Sequence, residues 1–424
     1  GWLGRNTDGP SGLCMVLLTG ETDRRSDRLI VRHRRHVYAS PRAGGPPVPR
    51  PYWRSGDVGR SAVSRESILL LKRRRPYSPG FCAAPVGAAN RISDSGAPRV
   101  TARRLLPFTA ACTGRPRFSV MLPTHEPDDK LCRAIASVLS QVPHGDAVQI
   151  CVVDDGSRRS DVRALVHAAD PEGRVDVLRH DSRLGIGGNW NRAVAAARGE
   201  LVHLLHQDDY VLPGFYAGID RVFRRTPSIG MAFCRCRIVD GDDRRIKTTS
   251  RLRWTSGTIR GWLPIIAQRQ RVQCPAAVVA RSTYEAVGGY RSDLRLALDW
   301  EMWVRIAVGH EVGYEPRELA AYCRHEDNES ARLAASGDTW PDLERAIAII
   351  AGWLPEASRA DLVRRSAAWY AGSARRAAAK QLAAGDAAAA RHTMSHVPRF
   401  LALAARAGGC VPAPPPVDAA RRSA

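Results

Sequence analysis

The chain has 424 residues, a net charge of +22, 44% hydrophobic residues and ten cysteines. It is too long to be a small stapled domain, contains no Cys-x-x-Cys pair, and has no apolar run near the roughly 18–20 residues that cross a bilayer. A disulfide scaffold, a zinc ribbon and a helical membrane protein are set aside, and a cytoplasmic setting with peripheral contact to the inner membrane face is expected.

More than half of the surplus positive charge falls in residues 1–115, where Pro, Gly, Ser and Arg recur and no apolar period lasts. This predicts a disordered basic leader, and the start at Gly1 fits an over-extended gene start. Arg-rich segments can hold nucleic acid, but Tyr52-Trp53-Arg54 is a thin interleaving of aromatic and cation. No recognition fold accompanies it, so no specific nucleic acid is expected as a partner.

From Arg117 the pattern changes. Phe118–Leu122 reads as a buried strand and 128–141 as an amphipathic helix, with Leu131, Ile135, Val138 and Leu139 on one side. Strands at 149–153, 175–178 and 201–205 alternate with helices at 160–169 and 188–198. Such alternation calls for a mostly parallel sheet covered by helices on both faces. Further strands are expected at 229–239 and 272–280, and helices at 282–287 and 300–308. The Ala- and Arg-rich residues 338–408 suggest three or four helices, with breaks at Pro355, Gly372, Gly385 and Pro398. The expected domains are therefore a leader (1–115), an α/β domain (116–335), a helical extension (336–410) and a disordered tail (411–424).

Three polar motifs fall at strand ends. Pro123-Thr124-His125-Glu126 follows the first strand, Asp154-Asp155-Gly156-Ser157 the second and His206-Gln207-Asp208-Asp209 the fourth. Bare carboxylates are costly away from water. At the open edge of a parallel sheet they can hold sugar hydroxyls or a divalent cation that carries phosphate. A polar turn or a helix cap is the plainer reading of each motif alone; their convergence on one edge is the signal. The run Gly185-Ile186-Gly187-Gly188-Asn189-Trp190 is not a dinucleotide fingerprint, because Trp190 stands where the third glycine belongs. It reads instead as a tight turn that starts the helix carrying Asn191. Asp299 and Glu301 sit at the front of a helix, where acids favour the macrodipole and one could serve as a general base.

Together these motifs, with Gly288-Gly289-Tyr290, Asp299-Trp300-Glu301-Met302-Trp303 and Tyr322-x-x-His325, resemble family 2 inverting glycosyltransferases over about residues 117–331. The resemblance implies a GT-A fold, a Rossmann-like α/β/α sandwich. It implies a metal-assisted transfer, with inversion, from a UDP- or dTDP-type nucleotide sugar to a glycan or lipid-linked acceptor, as in cell-surface polysaccharide biosynthesis. Pro123, Thr124, Glu126, Asp154, Asp155, Asn191 and Asp208 would then bind the donor. Asp208, Asp209 and His325 would lie at Mg2+ or Mn2+, and Asp299 would be the catalytic base. His206 replaces the first acid of the family's Asp-x-Asp region, and Leu298 replaces the acid that customarily precedes the base, a place Glu301 is expected to fill. A nucleotide-sugar-binding module without catalysis, and a nucleic-acid binder acting through the leader, are the alternatives.

Overall fold

The computed structural model describes residues 15–22, 29–36, 114–142 and 147–407. Within the leader, β1 (Met15–Thr22) pairs antiparallel with β2 (Leu29–His36). The apolar runs Met15–Leu18 and Leu29–Val31 are thus part of a ladder where no regular structure was expected. The rest of the leader and the tail expected at 411–424 lie outside the described residues.

Period-2 alternation builds the main sheet. Val120, Leu122, Ile150 and Val152 pack into one apolar core, while Met121, Cys151 and Val153 pack into another on the opposite face. Strands buried on both faces in this way are characteristic of a sheet sandwiched by helices. The strands are β3 (Phe118–Thr124), β4 (Val148–Asp154), β5 (Val175–Arg179), β6 (Leu201–Leu204), β7 (Tyr210–Val211), β8 (Ile229–Asp240), β9 (Arg245–Thr248), β10 (Gly257–Thr258), β11 (Ala277–Ala280) and β12 (Glu311–Arg324). They run in the order β10-β12-β8-β11-β6-β3-β4-β5, with β7 on β12 and β9 on β8. The β6-β3-β4-β5 half is parallel, as is the long β8–β12 pair, and β11 joins the two antiparallel.

Helices α1 (Lys130–Leu139), α2 (Val162–Ala169), α3 (Gly185–Ala196), α4 (Phe215–Arg225), α5 (Trp262–Gln268), α6 (Arg281–Val287) and α7 (Leu298–Gly309) surround the sheet. Then follow α8 (Glu329–Ser336), α9 (Thr339–Trp353), α10 (Glu356–Ala383) and α11 (Ala387–Arg406). The architecture is thus the expected α/β sandwich with helices at the C-terminal end. Leu343, Ile347, Tyr370 and Phe400 of these last helices share one core with Trp300, Met302 and Trp303 of α7.

Other expectations change as well. The strand expected at 272–280 begins only at Ala277, because Cys274–Ala276 forms a 3-10 turn around Pro275. β12 was not anticipated: Pro316 interrupts its apolar alternation, and the ladder accommodates the interruption by shifting register between Glu315 and Glu318. Gly372 and Pro398 do not break their helices. No described helix is long and apolar enough to cross a membrane.

Candidate active site

The carboxyl ends of β3, β4 and β6, the start of α7 and the end of β12 enclose a cavity of about 870 Å³. Pro123, Thr124, Glu126, Asp155, Asp208, Asp299 and His325 all line it. Asp154, Asn191 and Asp209 do not.

Asp155 occupies the turn after β4, where Gly156 takes a left-handed φ of 71° that a side chain would strain. Its two carboxylate oxygens accept from the backbone N–H groups of Leu184 (2.6 Å) and Gly185 (2.9 Å), tying β4 to the start of α3. Asp154 points the other way and is fully buried. It pairs with Arg179 at 3.0 Å and accepts from the Ser157 amide at 3.1 Å. Glu126 is similarly committed to the scaffold. Its carboxylate accepts from the amides of Arg158 (2.8 Å), Arg159 (3.0 Å) and Ser160 (3.1 Å). Those bonds, led by the one from Arg158, hold its pKa below the usual carboxylate range.

The Asn191 amide bridges the backbone of Tyr290, donating to its carbonyl at 2.8 Å and accepting from its N–H at 2.6 Å. This requires Gly289, where an added Cβ would come within 2.4 Å of Asn191 Oδ1. Asn189, two residues earlier on α3, does reach the cavity. Its Nδ2 donates to the carbonyls of Thr124 and Val153, and its buried Oδ1 has no partner among the described residues. Gln207 is another cavity residue without an assigned role in the sequence. It accepts from the Thr124 hydroxyl and the His125 amide and so joins the ends of β3 and β6.

At the metal candidate, Asp208 Oδ2 stands 3.0 Å from His325 Nε2, across the ends of β6 and β12. Arg133 of α1 donates to the Asp208 carbonyl at 3.0 Å, which fixes the loop. Asp209 turns inward and accepts from the Cys323 amide at 2.9 Å. Its other oxygen lies 3.3 Å from His206 Nδ1, and burial, then the Asp208 charge, raises its pKa above the usual carboxylate range. Donor atoms of His206, Asp208 and Asp209 fall within 4.8 Å of one another. Two ligands about 2.1 Å from one ion at a right angle are about 3.0 Å apart. The Asp208–His325 separation, and a mixed nitrogen and oxygen donor set, therefore fit a divalent cation.

Asp299, in the first turn of α7, lines the cavity together with Gln270, Gln273 and Cys274. Burial pushes its carboxyl up to about 7, with the Trp300 N–H and His206 opposing. A base poised near neutrality suits proton abstraction from a hydroxyl. Glu301 does not stand in for the acid missing at Leu298. It is fully buried and paired with Arg305 at 2.7 and 3.0 Å, away from the cavity. Of the cations at the rim, Arg183 and Arg332 are exposed and have no ion-pair partner among the described residues. The C-terminal helices supply Leu343 and Tyr370 to the lining, well beyond the motifs.

Residues 119–284 match the sequence profile described as Glycosyl transferase family 2. The chain is 29% identical over 244 residues to an uncharacterized protein, MT1568, of Mycobacterium tuberculosis, covering 55% of this chain and 75% of that protein. It is 27% identical over 290 residues to the O-antigen biosynthesis protein RfbC of Myxococcus xanthus, covering 65% of this chain but only 21% of that much longer protein. Among solved structures, S. aureus TarS 1–349 in complex with UDP-GlcNAc aligns with a TM-score of 0.49 at 14% identity, covering 68% of this chain and 91% of that one.

Proposed function

We propose that the chain, whose residues 119–284 match glycosyl transferase family 2, moves a sugar from a UDP- or dTDP-type nucleotide sugar to a glycan or lipid-linked acceptor, with inversion. The observation that carries this reading is the convergence of Asp155, Asp208, His325 and Asp299 on one cavity at the carboxyl edge of the sheet. Ligands of open α/β sheets bind at this edge.

In this reading Pro123, Thr124 and Asp155 line the nucleoside end, and the unpartnered Asn189 Oδ1 accepts one donor hydrogen bond there. Glu126, Asp154 and Asn191 serve the donor indirectly, by fixing the turns around it. Asp208 and His325 hold Mg2+ or Mn2+, with Asp209 and His206 behind them. A cation bound there offsets charge on a diphosphate leaving group. Arg183 and Arg332 meet the same charge from the rim. Asp299 takes the proton of the acceptor hydroxyl as its oxygen attacks the anomeric carbon. The bond from that carbon to the diphosphate breaks on the opposite face, so the configuration inverts. The relative named for O-antigen biosynthesis supports a surface polysaccharide as the product. A cytoplasmic setting at the inner membrane face is part of the same proposal.

A panel of UDP-, dTDP- and GDP-sugars, each with Mn2+, Mg2+ or EDTA, tests this by thermal shift and by donor hydrolysis. One donor is expected to stabilise the protein and to be turned over only with metal, and Asp208→Asn should lose the metal-dependent part. Stabilisation without hydrolysis or transfer would instead make the chain a binding module, in keeping with its missing acids at 206 and 298.

A further inference from the structure

Asp342 of α9 lies 58 residues beyond the family-matched segment and has no place in the motifs. It is buried, and its carboxylate accepts three backbone N–H groups: Arg295 and Leu296 at 2.9 Å each and Ala297 at 2.8 Å. These three residues immediately precede α7, whose own N-cap, Ala297, offers no side-chain cap. The first amides of a helix need acceptors. Here the segment that leads into the helix receives them from a different helix.

The same segment is gripped at further points. Arg345, one turn along α9, donates to the Asp293 carbonyl at 3.0 Å. The Arg295 side chain pairs with Glu329 at 2.6 Å and approaches Asp338 at 3.7 Å. Leu296, Ala297 and Leu298 then run along the cavity wall to Asp299. From α10, the Tyr370 hydroxyl accepts from the Gln270 amide at 3.2 Å, and its ring centroid lies 5.2 Å from that of Trp300.

We propose that Asp342 is a positioning residue for Asp299. By fixing the amides of 295–297 it sets where α7 begins, and with it where the base stands against the acceptor hydroxyl. The inference rests on the transferase reading given above. A small displacement of a reacting group costs orders of magnitude in rate when the geometry of attack is lost, while binding elsewhere in the cavity is spared.

The test is Asp342→Asn, which keeps the shape but turns an NH2 group toward backbone N–H donors. It is assayed with the nucleotide sugar that the wild type hydrolyses fastest. kcat is expected to fall 10- to 100-fold while donor affinity, read by titration with Mn2+, stays within twofold. Amide exchange at 295–297 should accelerate in the same variant. Unchanged kcat overturns the proposal, and so does a parallel loss of donor affinity, turnover and Tm, which marks a purely structural role. If Asp342→Asn does not fold, Asp342→Glu decides, since it keeps the charge but moves the acceptor by one methylene. A folded Asp342→Glu with reduced kcat supports positioning, and one with full turnover overturns it. A wild type that neither hydrolyses nor transfers from any donor sinks the transferase reading instead, without recourse to any variant.

Discussion

At Asp299 one carboxyl combines two properties: it faces an open cavity, and burial pushes its proton affinity up to about 7. A base must be ionised to act. The raised pKa therefore places the loss of activity on the acid side, and kcat/KM should fall about tenfold per pH unit below about 7 and level off above it. A profile of initial rates from pH 5 to 9 checks this; a flat profile through pH 6 would mean that Asp299 is not the titrating base. The placements legible in the sequence were those set by a residue's own motif. Asp155 and Asp208 were expected at the sheet edge and His325 at the metal, and all three line the cavity. The hydrogen bonds of Glu126, Asp154 and Asn191 were not legible, because their partners lie 25 to 99 residues away along the chain or depend on a turn formed only in the fold. Gln207 and Asn189 stood inside recognised motifs but carry no residue-type signature of a site.

Elements read well where the apolar period was clean and poorly where it was broken. The apolar runs of β3, β4 and β6 are nearly uninterrupted, whereas β12 hides behind Glu315, Pro316 and Arg317, and Pro275 shortens β11. The link between α3 and the 288–290 turn is an exacting contact between elements. Asn191 Oδ1 would meet a Cβ at position 289 at 2.4 Å. Gly289→Ala is expected to cost about 1–3 kcal/mol, from overpacking and the strained amide bridge. Urea unfolding measures this. A change below about 0.5 kcal/mol, the level of ordinary surface substitutions, would show that Asn191 moves aside freely.

Over the whole molecule, the C-terminal helices belong to the same core as α7 and contribute to the cavity. The helical extension read from composition at 336–410 is therefore proposed to be a structural part of the transferase unit. Ending the chain at residue 338 would expose Trp300, Met302 and Trp303, which are at most 1% exposed in the fold. That truncation is expected to give insoluble or molten protein. A chain comprising residues 114–407 is expected to fold and to bind donor. Soluble, cooperatively unfolding protein from the truncation at 338 would show that the helices are an appendage. The sequence displayed these helices through their Ala-rich periodicity but could not show what they pack on, since that depends on contacts made across more than forty residues, such as those of Asp342.

The claim that this cavity performs sugar transfer with Asp299 as its base is tested most directly by Asp299→Asn, assayed for donor binding and transfer in parallel. The expected result is donor affinity within about threefold of wild type, with transfer reduced by at least about a thousandfold. Transfer at the wild-type rate in the folded variant would contradict the assignment.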